Sequence, residues 1–221
     1  MLTRLHFIQT TAALFSASIC GPLQAQTWPT AAQRAARDAT VTPPDFDPAT
    51  SNPWGLHPRF LPQRIVANDR LVPGDIHVDA IARYLYYIEE EGTAMRYGVA
   101  IGRGDRYEPG VYTIRRKVEW PHWTPMREMI EREPETYAQY ENGMEPGPRN
   151  ALGSRAFYLY VGARDTYLRI HGTRYPRSIG IRASSGCVRM VMAHIIGLCP
   201  RVVIGSTAFL YPAEGRLTAQ S

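Results

Sequence analysis

Three cysteines in 221 residues are too few for a disulfide scaffold, and no pair has the tight C-x2-C spacing of a compact zinc site. No run of Lys and Arg is interleaved with aromatics, which argues against nucleic acid as a partner even though the formal charge is +5. Beyond the first 25 residues no stretch is apolar enough to cross a bilayer, so no integral membrane segment is expected after that point. Internal repeats and low-complexity tracts are also missing, which argues against a repeat architecture. Hydrophobic residues at 44% and charged residues at 20% leave enough apolar material for one domain with a sizeable core. The 18 Gly, 18 Pro and 13 Tyr favour strands joined by turns over a helical bundle.

The first 25 residues read as an export leader. A basic start at Arg4 is followed by an apolar stretch from Phe7 to Leu23 and a small residue, Ala25, suited to cleavage. Gly21 and Pro22 break the run, which argues against an anchor, and the bulky Ile19 argues against lipidation at Cys20. Cleavage removes Arg4 and Cys20, leaves Cys187 and Cys199, and implies the periplasm. In that compartment the two remaining cysteines either pair, or Cys187 stays free because it reacts. Residues 26–70 are rich in Pro, Ala, Thr and Asp without a lasting apolar period, and read as an extended linker or an arm lying on the domain.

The texture changes at Leu71. Short alternating or β-rich runs follow, with a turn at Glu91-Gly92 and another at Pro109-Gly110. A helix is expected from Thr124, as cap, and Pro125, in its first turn, with Met126, Met129 and Ile130 on one face. Trp120 and Trp123 before it read as packing residues. Residues 156–161 and 166–171 read as strands, the second ending at His171. The run VRMVMAHIIGL after Cys187 has helical length, and Pro200 stops it. The expected fold is mainly β, a sandwich or partly closed barrel with one or two short helices, over 71–212, with a tail at 213–221.

His171 at a strand end and Cys187 just before a helix suggest chemistry. A helix N-terminus and a nearby imidazolium both favour a thiolate. His171 would serve as general base, and the amides of Gly186 and Cys187 as an oxyanion hole. The sixteen positions between the two allow the chain to double back. Zinc is the chemical rival, with His171, Cys187, His194 and Cys199 as ligands. A papain-like order is excluded, because there Cys precedes His.

The residues His171-Gly172-Thr173, then PRSIG, then Ser184-Ser185-Gly186-Cys187-Val188-Arg189-Met190 resemble the motif of the L,D-transpeptidase catalytic domain, the YkuD domain. PGDIHVD, RYGVAIGR, PGVYTI and ALGSRAFYLY support the resemblance upstream. It implies Cys187 as nucleophile and His171 as general base and acid. It implies Gly172 and Thr173 as groups that orient the His, and Ser184, Ser185 and Gly186 as the oxyanion side. It implies Arg189 as a group that holds the loop or meets a substrate carboxylate; Arg174 and Arg177, by their place inside the His-to-Cys loop, either meet the stem's carboxylates or are solvated charges. The implied reaction is attack on a peptidoglycan tetrapeptide stem after meso-diaminopimelate, release of D-Ala, and transfer to an amine of a second stem or of an envelope protein. No cofactor or metal is implied. Alternatives are a carboxypeptidase using water and a weakly active wall-binding module. Two positions depart from the family pattern: Met192 and His194 stand where Asn and Asp are usual, which predicts a less braced helix start and a surface or helical His194.

Overall fold

A computed structural model describes residues 29–213. The expected leader at 1–25 and all of the expected tail beyond residue 213 lie outside the described residues. Eleven strands occur among the described residues: β1 Gln63–Val66, β2 Ile76–Asp79, β3 Tyr84–Ile88, β4 Thr93–Gly98, β5 Ile101–Gly102, β6 Gly110–Glu119, β7 Arg155–Val161, β8 Arg164–Thr173, β9 Arg182–Ser184, β10 Val188–Val191 and β11 Thr207–Leu210. Four short helices join them: α1 Ala31–Ala39, α2 Arg127–Arg132, α3 Pro134–Tyr137 and α4 Met192–Leu198.

Nine strands form one sheet in the order β1-β4-β3-β2-β11-β6-β7-β8-β10, and β5 pairs with β9 beside it. The β3–β4 hairpin turns at Glu91 and Gly92, both with positive φ (61° and 66°), which matches the primed turns that fit strand twist. The sheet curls. Just past β4, Ala100 exchanges both backbone hydrogen bonds with Arg189 of β10, at 3.0 and 2.8 Å. The last strand of the sheet thus meets the chain leaving β4, and the sheet is a mainly β, partly closed barrel. Its interior holds one apolar cluster, which includes Ile76, Leu85, Ile114, Phe157, Leu159 and Ile170. Ile195 and Leu198 of α4 reach into that cluster and plug it.

Three local readings change. First, α2 begins at Arg127 with Met126 as an unassisted cap, not at Thr124. Trp123 and Met144 exchange backbone hydrogen bonds at 3.1 and 2.6 Å, which holds the chain extended up to that point. Met129 alone of the three expected helix-face residues is buried. Second, the segment 26–70 is not extended throughout. Thr30 and Gln33 form a reciprocal capping box that starts α1, and β1 joins the large sheet. Third, only the second half of VRMVMAHIIGL is helical. Val188–Val191 pair in parallel with Ile170–Thr173, so sheet pairing of β-branched and apolar residues overrides helical length.

Candidate active site

The register of β8 and β10 builds the site. Val188 stands opposite Ile170 and Arg189 opposite His171, which sets Cys187 level with Arg169. Side chains alternate along a strand, so Arg169 and His171 share one face of β8. His171 lies two residues inside the end of β8, not at its end. Cys187, His171, Arg189, Ser184 and Ser185 open on one cavity of about 300 Å³, which Trp123, Tyr137, Tyr158 and Glu108 also line.

The imidazole is buried and oriented by backbone. His171 Nδ1 lies 2.7 Å from the Gly172 carbonyl, which can only accept, so Nδ1 carries the proton and Nε2 is the basic nitrogen. The Leu152 backbone, like the Gly172 carbonyl, favours a proton on the ring. Both groups are fixed from the loop at 150–153. Asn150 Nδ2 donates to the Met144 and Glu145 carbonyls at 2.9 and 3.1 Å, and its Oδ1 accepts from Leu152 N at 2.8 Å. Gly153 has φ +63°, and a Cβ there would lie 2.8 Å from the Gly172 carbonyl carbon. The tight fit of Gly153 on Gly172 is what seats the His171 acceptor. Thr173 Oγ1 accepts from Tyr175 N at 3.1 Å and holds the turn that leaves β8.

The thiol turn is equally constrained. Gly186 has φ +135°, and a Cβ there would lie 3.1 Å from the Arg106 carbonyl. Ser184 Oγ donates to the Cys187 carbonyl and accepts from Gly186 N at 3.3 Å. In this resting geometry the Gly186 amide therefore braces the turn and does not face an oxyanion, contrary to the sequence expectation. Ser184 is buried and acts on the turn, while Ser185 Oγ lies 2.8 Å from Tyr137 Oη.

Charge at the site differs from the sequence picture. No helix starts at Cys187, because β10 intervenes and α4 begins at Met192. Burial pushes the Cys187 thiol up, against lowering by the Arg169 amide and by the Arg169 and Arg189 guanidinium groups. Burial, then the Arg189 charge, pushes His171 down to about 3. The resting pair is a neutral thiol and a neutral imidazole, with Cys187 Sγ donating a long hydrogen bond of 3.9 Å to the Tyr167 carbonyl. Arg189 Nε is buried without a hydrogen-bond partner.

The remaining expected residues fall elsewhere. Arg174 and Arg177 do not line the cavity. Arg174 donates to the Arg149 carbonyl at 2.9 Å, and Arg177 is exposed. Cys187 and Cys199 are both free thiols. His194 is helical but buried rather than at the surface, among the rings of Phe46, Trp54 and Tyr97. Among the described residues no group of three His, Cys, Asp or Glu side chains could hold a metal ion. Trp120 packs, and its Nε1 donates to Asp38 at 2.9 Å, whereas Trp123 lines the cavity. Tyr137, Tyr158 and Glu108 were not legible as cavity residues from sequence, because each lies far along the chain from Cys187 and joins the cavity only in the folded sheet.

An imidazole on β8 and a thiol just before the parallel neighbour β10, sharing a cavity with Arg189, whose Nε has no hydrogen-bond partner among the described residues, define a site of the cysteine–histidine class. Residues 73–210 match the family model for the L,D-transpeptidase catalytic domain, YkuD, and the chain belongs to that family. It is similar to the probable L,D-transpeptidases ErfK/SrfK and YbiS of Escherichia coli (strain K12), at 31% identity over 66% of this chain in both cases. Those alignments span 46% and 47% of the two relatives, so the chain matches about half of their length. A solved structure titled as a probable carnitine operon oxidoreductase from Brucella melitensis is 46% identical over 68% of this chain and 93% of that one, with a TM-score of 0.49.

Proposed function

We propose that the protein is a peptidoglycan L,D-transpeptidase in which Cys187 is the nucleophile and His171 its general base. The observation that carries the reading is the pairing of β8 with β10, which brings His171 and Cys187 to one cavity that Arg189 also lines, its Nε without a hydrogen-bond partner among the described residues. A tetrapeptide stem would enter with a carboxylate toward Arg189, a planar donor set suited to carboxylate. Nε2 of His171 takes the thiol proton as sulfur attacks the carbonyl carbon after meso-diaminopimelate. Because both groups rest neutral, the proton moves during attack and not before it. The Cys187 amide is the nearer candidate to meet the oxyanion, since the Gly186 amide bonds Ser184. His171 returns the proton to the departing D-Ala amine, and a thioester remains on Cys187. An amine of a second stem or of an envelope protein then takes the acyl group, while water in its place gives the carboxypeptidase outcome. The reading places the mature protein in the periplasm, with stem peptides as its partners and no cofactor.

Incubation with disaccharide tetrapeptides tests this. D-Ala release and amide-linked products are expected from the wild type. Cys187→Ala should abolish both with the fold intact, and His171→Ala should slow them about a hundredfold or more. A folded wild-type protein that binds the muropeptide without releasing D-Ala would establish the binding-module alternative instead.

A further inference from the structure

The mechanism above leaves one charged group at the cavity without a role. Glu108 lies on the loop between β5 and β6, is exposed, and lines the same cavity as Cys187. Its backbone is fixed: the Glu108 carbonyl accepts from Tyr112 Oη at 3.1 Å. Other carboxylates of this face of the molecule have basic partners. Glu133 pairs with Arg103 and Arg106 at 3.2 and 2.7 Å, Asp165 with Arg169 at 2.7 Å, and Glu145 faces His122 at 3.6 Å. Glu108 has no ion pair among the described residues.

This carboxylate works against the first half of the reaction. Its charge acts on the Cys187 thiol in the direction that opposes a thiolate, while Arg169 and Arg189 act in the other. Arg189 stands on β10 and Glu108 on the loop between β5 and β6, so the two opposite charges line the cavity from different elements. One can hold an anion and the other a cation. The acyl donor supplies the anion. The amine acceptors of the second half arrive as ammonium ions.

We propose that Glu108 is a specificity-determining residue of the acceptor half-reaction, holding the ammonium group of an incoming amine at the mouth of the cavity beside Cys187. The proposal rests on the acyl-transfer reading above. After D-Ala has left, His171 is neutral. The held ammonium loses one proton to solvent, and its nitrogen attacks the thioester carbon. The C–N bond forms, the C–S bond breaks, and sulfur leaves as thiolate. The second nitrogen proton passes to His171 Nε2 and then to the Cys187 sulfur, which restores the resting thiol. Water gains nothing from the carboxylate, so Glu108 shifts the partition toward amines. The protein's own amines compete little: Lys117 is its single lysine, and its Nζ donates to the Cys199 and Val202 carbonyls.

The test compares wild type, Glu108→Gln and Glu108→Asp, with a disaccharide tetrapeptide as donor. The acceptors are a diaminopimelate-containing tripeptide, which carries an ammonium, and hydroxylamine, which is neutral at neutral pH. The readout is the ratio of transfer product to hydrolysis product. With the tripeptide, Glu108→Gln should lower that ratio about tenfold, the scale of one charge-assisted hydrogen bond, and Glu108→Asp should keep most of it. With hydroxylamine the ratio should stay the same in all three proteins. High salt should narrow the difference. An unchanged tripeptide ratio in Glu108→Gln overturns the proposal, as does an equal fall with both acceptors. A titration of the tripeptide into Cys187→Ala, with and without Glu108→Gln, reads binding without turnover, and weaker binding is expected in the double variant. If the wild type forms no thioester, the transfer reading fails, and this titration still decides whether Glu108 holds the amine.

Discussion

At Cys187 the same burial that shelters the thiol keeps its proton on, and at His171 it keeps the ring neutral. Placement therefore has to do what a pre-formed thiolate would otherwise do. Ser184 pins the turn from inside, and Tyr137 holds it from outside through Ser185. Tyr137 is in turn packed on Trp123, with ring centroids 6.3 Å apart. Tyr137→Phe should lower kcat/KM about fivefold to tenfold, the scale of one lost hydrogen bond. Steady-state kinetics would show it, and Tyr137→Phe at wild-type rate would mean that the contact does not position the turn. The motif residues His171, Gly186 and Cys187 were legible in the sequence because their spacing is local. Tyr137 was not, since it reaches Ser185 across 48 positions.

The stretch from β10 into α4 departs from the family pattern. Met192 stands where Asn is usual, and its side chain packs close to Gly172, the residue that orients His171. His194 stands where Asp is usual. The arm supplies Phe46 and Trp54 against it, with ring centroids at 6.1 and 5.4 Å, and both ring nitrogens are buried without partners. An apolar brace thus replaces a polar one. Burial pushes His194 down to about 3 from the ordinary 6.5. Below 6.5 the unfolded chain binds a proton that the folded chain refuses, so this contribution to stability is complete above 6.5 and is lost as pH falls toward 3. His194→Leu should remove that dependence: the drop in Tm between neutral and mildly acidic pH should be smaller in the variant. An identical pH profile would show that His194 titrates normally in the fold. The sequence signalled the departure from Asn and Asp, but not its replacement, because the residues that cover His194 come from a segment with no apolar period.

Over the whole molecule, the curled sheet and the arm act together. The turn between β3 and β4 was legible from Glu91-Gly92, yet the insertion of β11 between β2 and β6 and the closure through Ala100 and Arg189 were not, since these long-range pairings carry no local signal. The arm is tied down by Asp38, which bonds Arg155 through two oxygens at 2.9 and 2.6 Å and also accepts from Trp120. Arg155 is buried and begins β7, the strand next to the one that carries His171. Asp38→Asn leaves that guanidinium with the more distant Glu119 carboxylate, at 3.7 Å, as its remaining charge partner, and should cost roughly 1–3 kcal/mol, measurable by urea unfolding. Capping at Thr30 and Gln33 was a legible helix start that composition masked, because Pro and Ala dominate the surrounding stretch.

The central claim is that Cys187 carries the acyl group. The most direct measurement is the intact mass of the full chain quenched in acid during turnover of a disaccharide tetrapeptide, followed by peptide mapping. The account predicts a mass increase equal to the donor less D-Ala, mapped to Cys187 and missing in Cys187→Ala. D-Ala release with no adduct on Cys187, or an adduct that persists in Cys187→Ala, would contradict it.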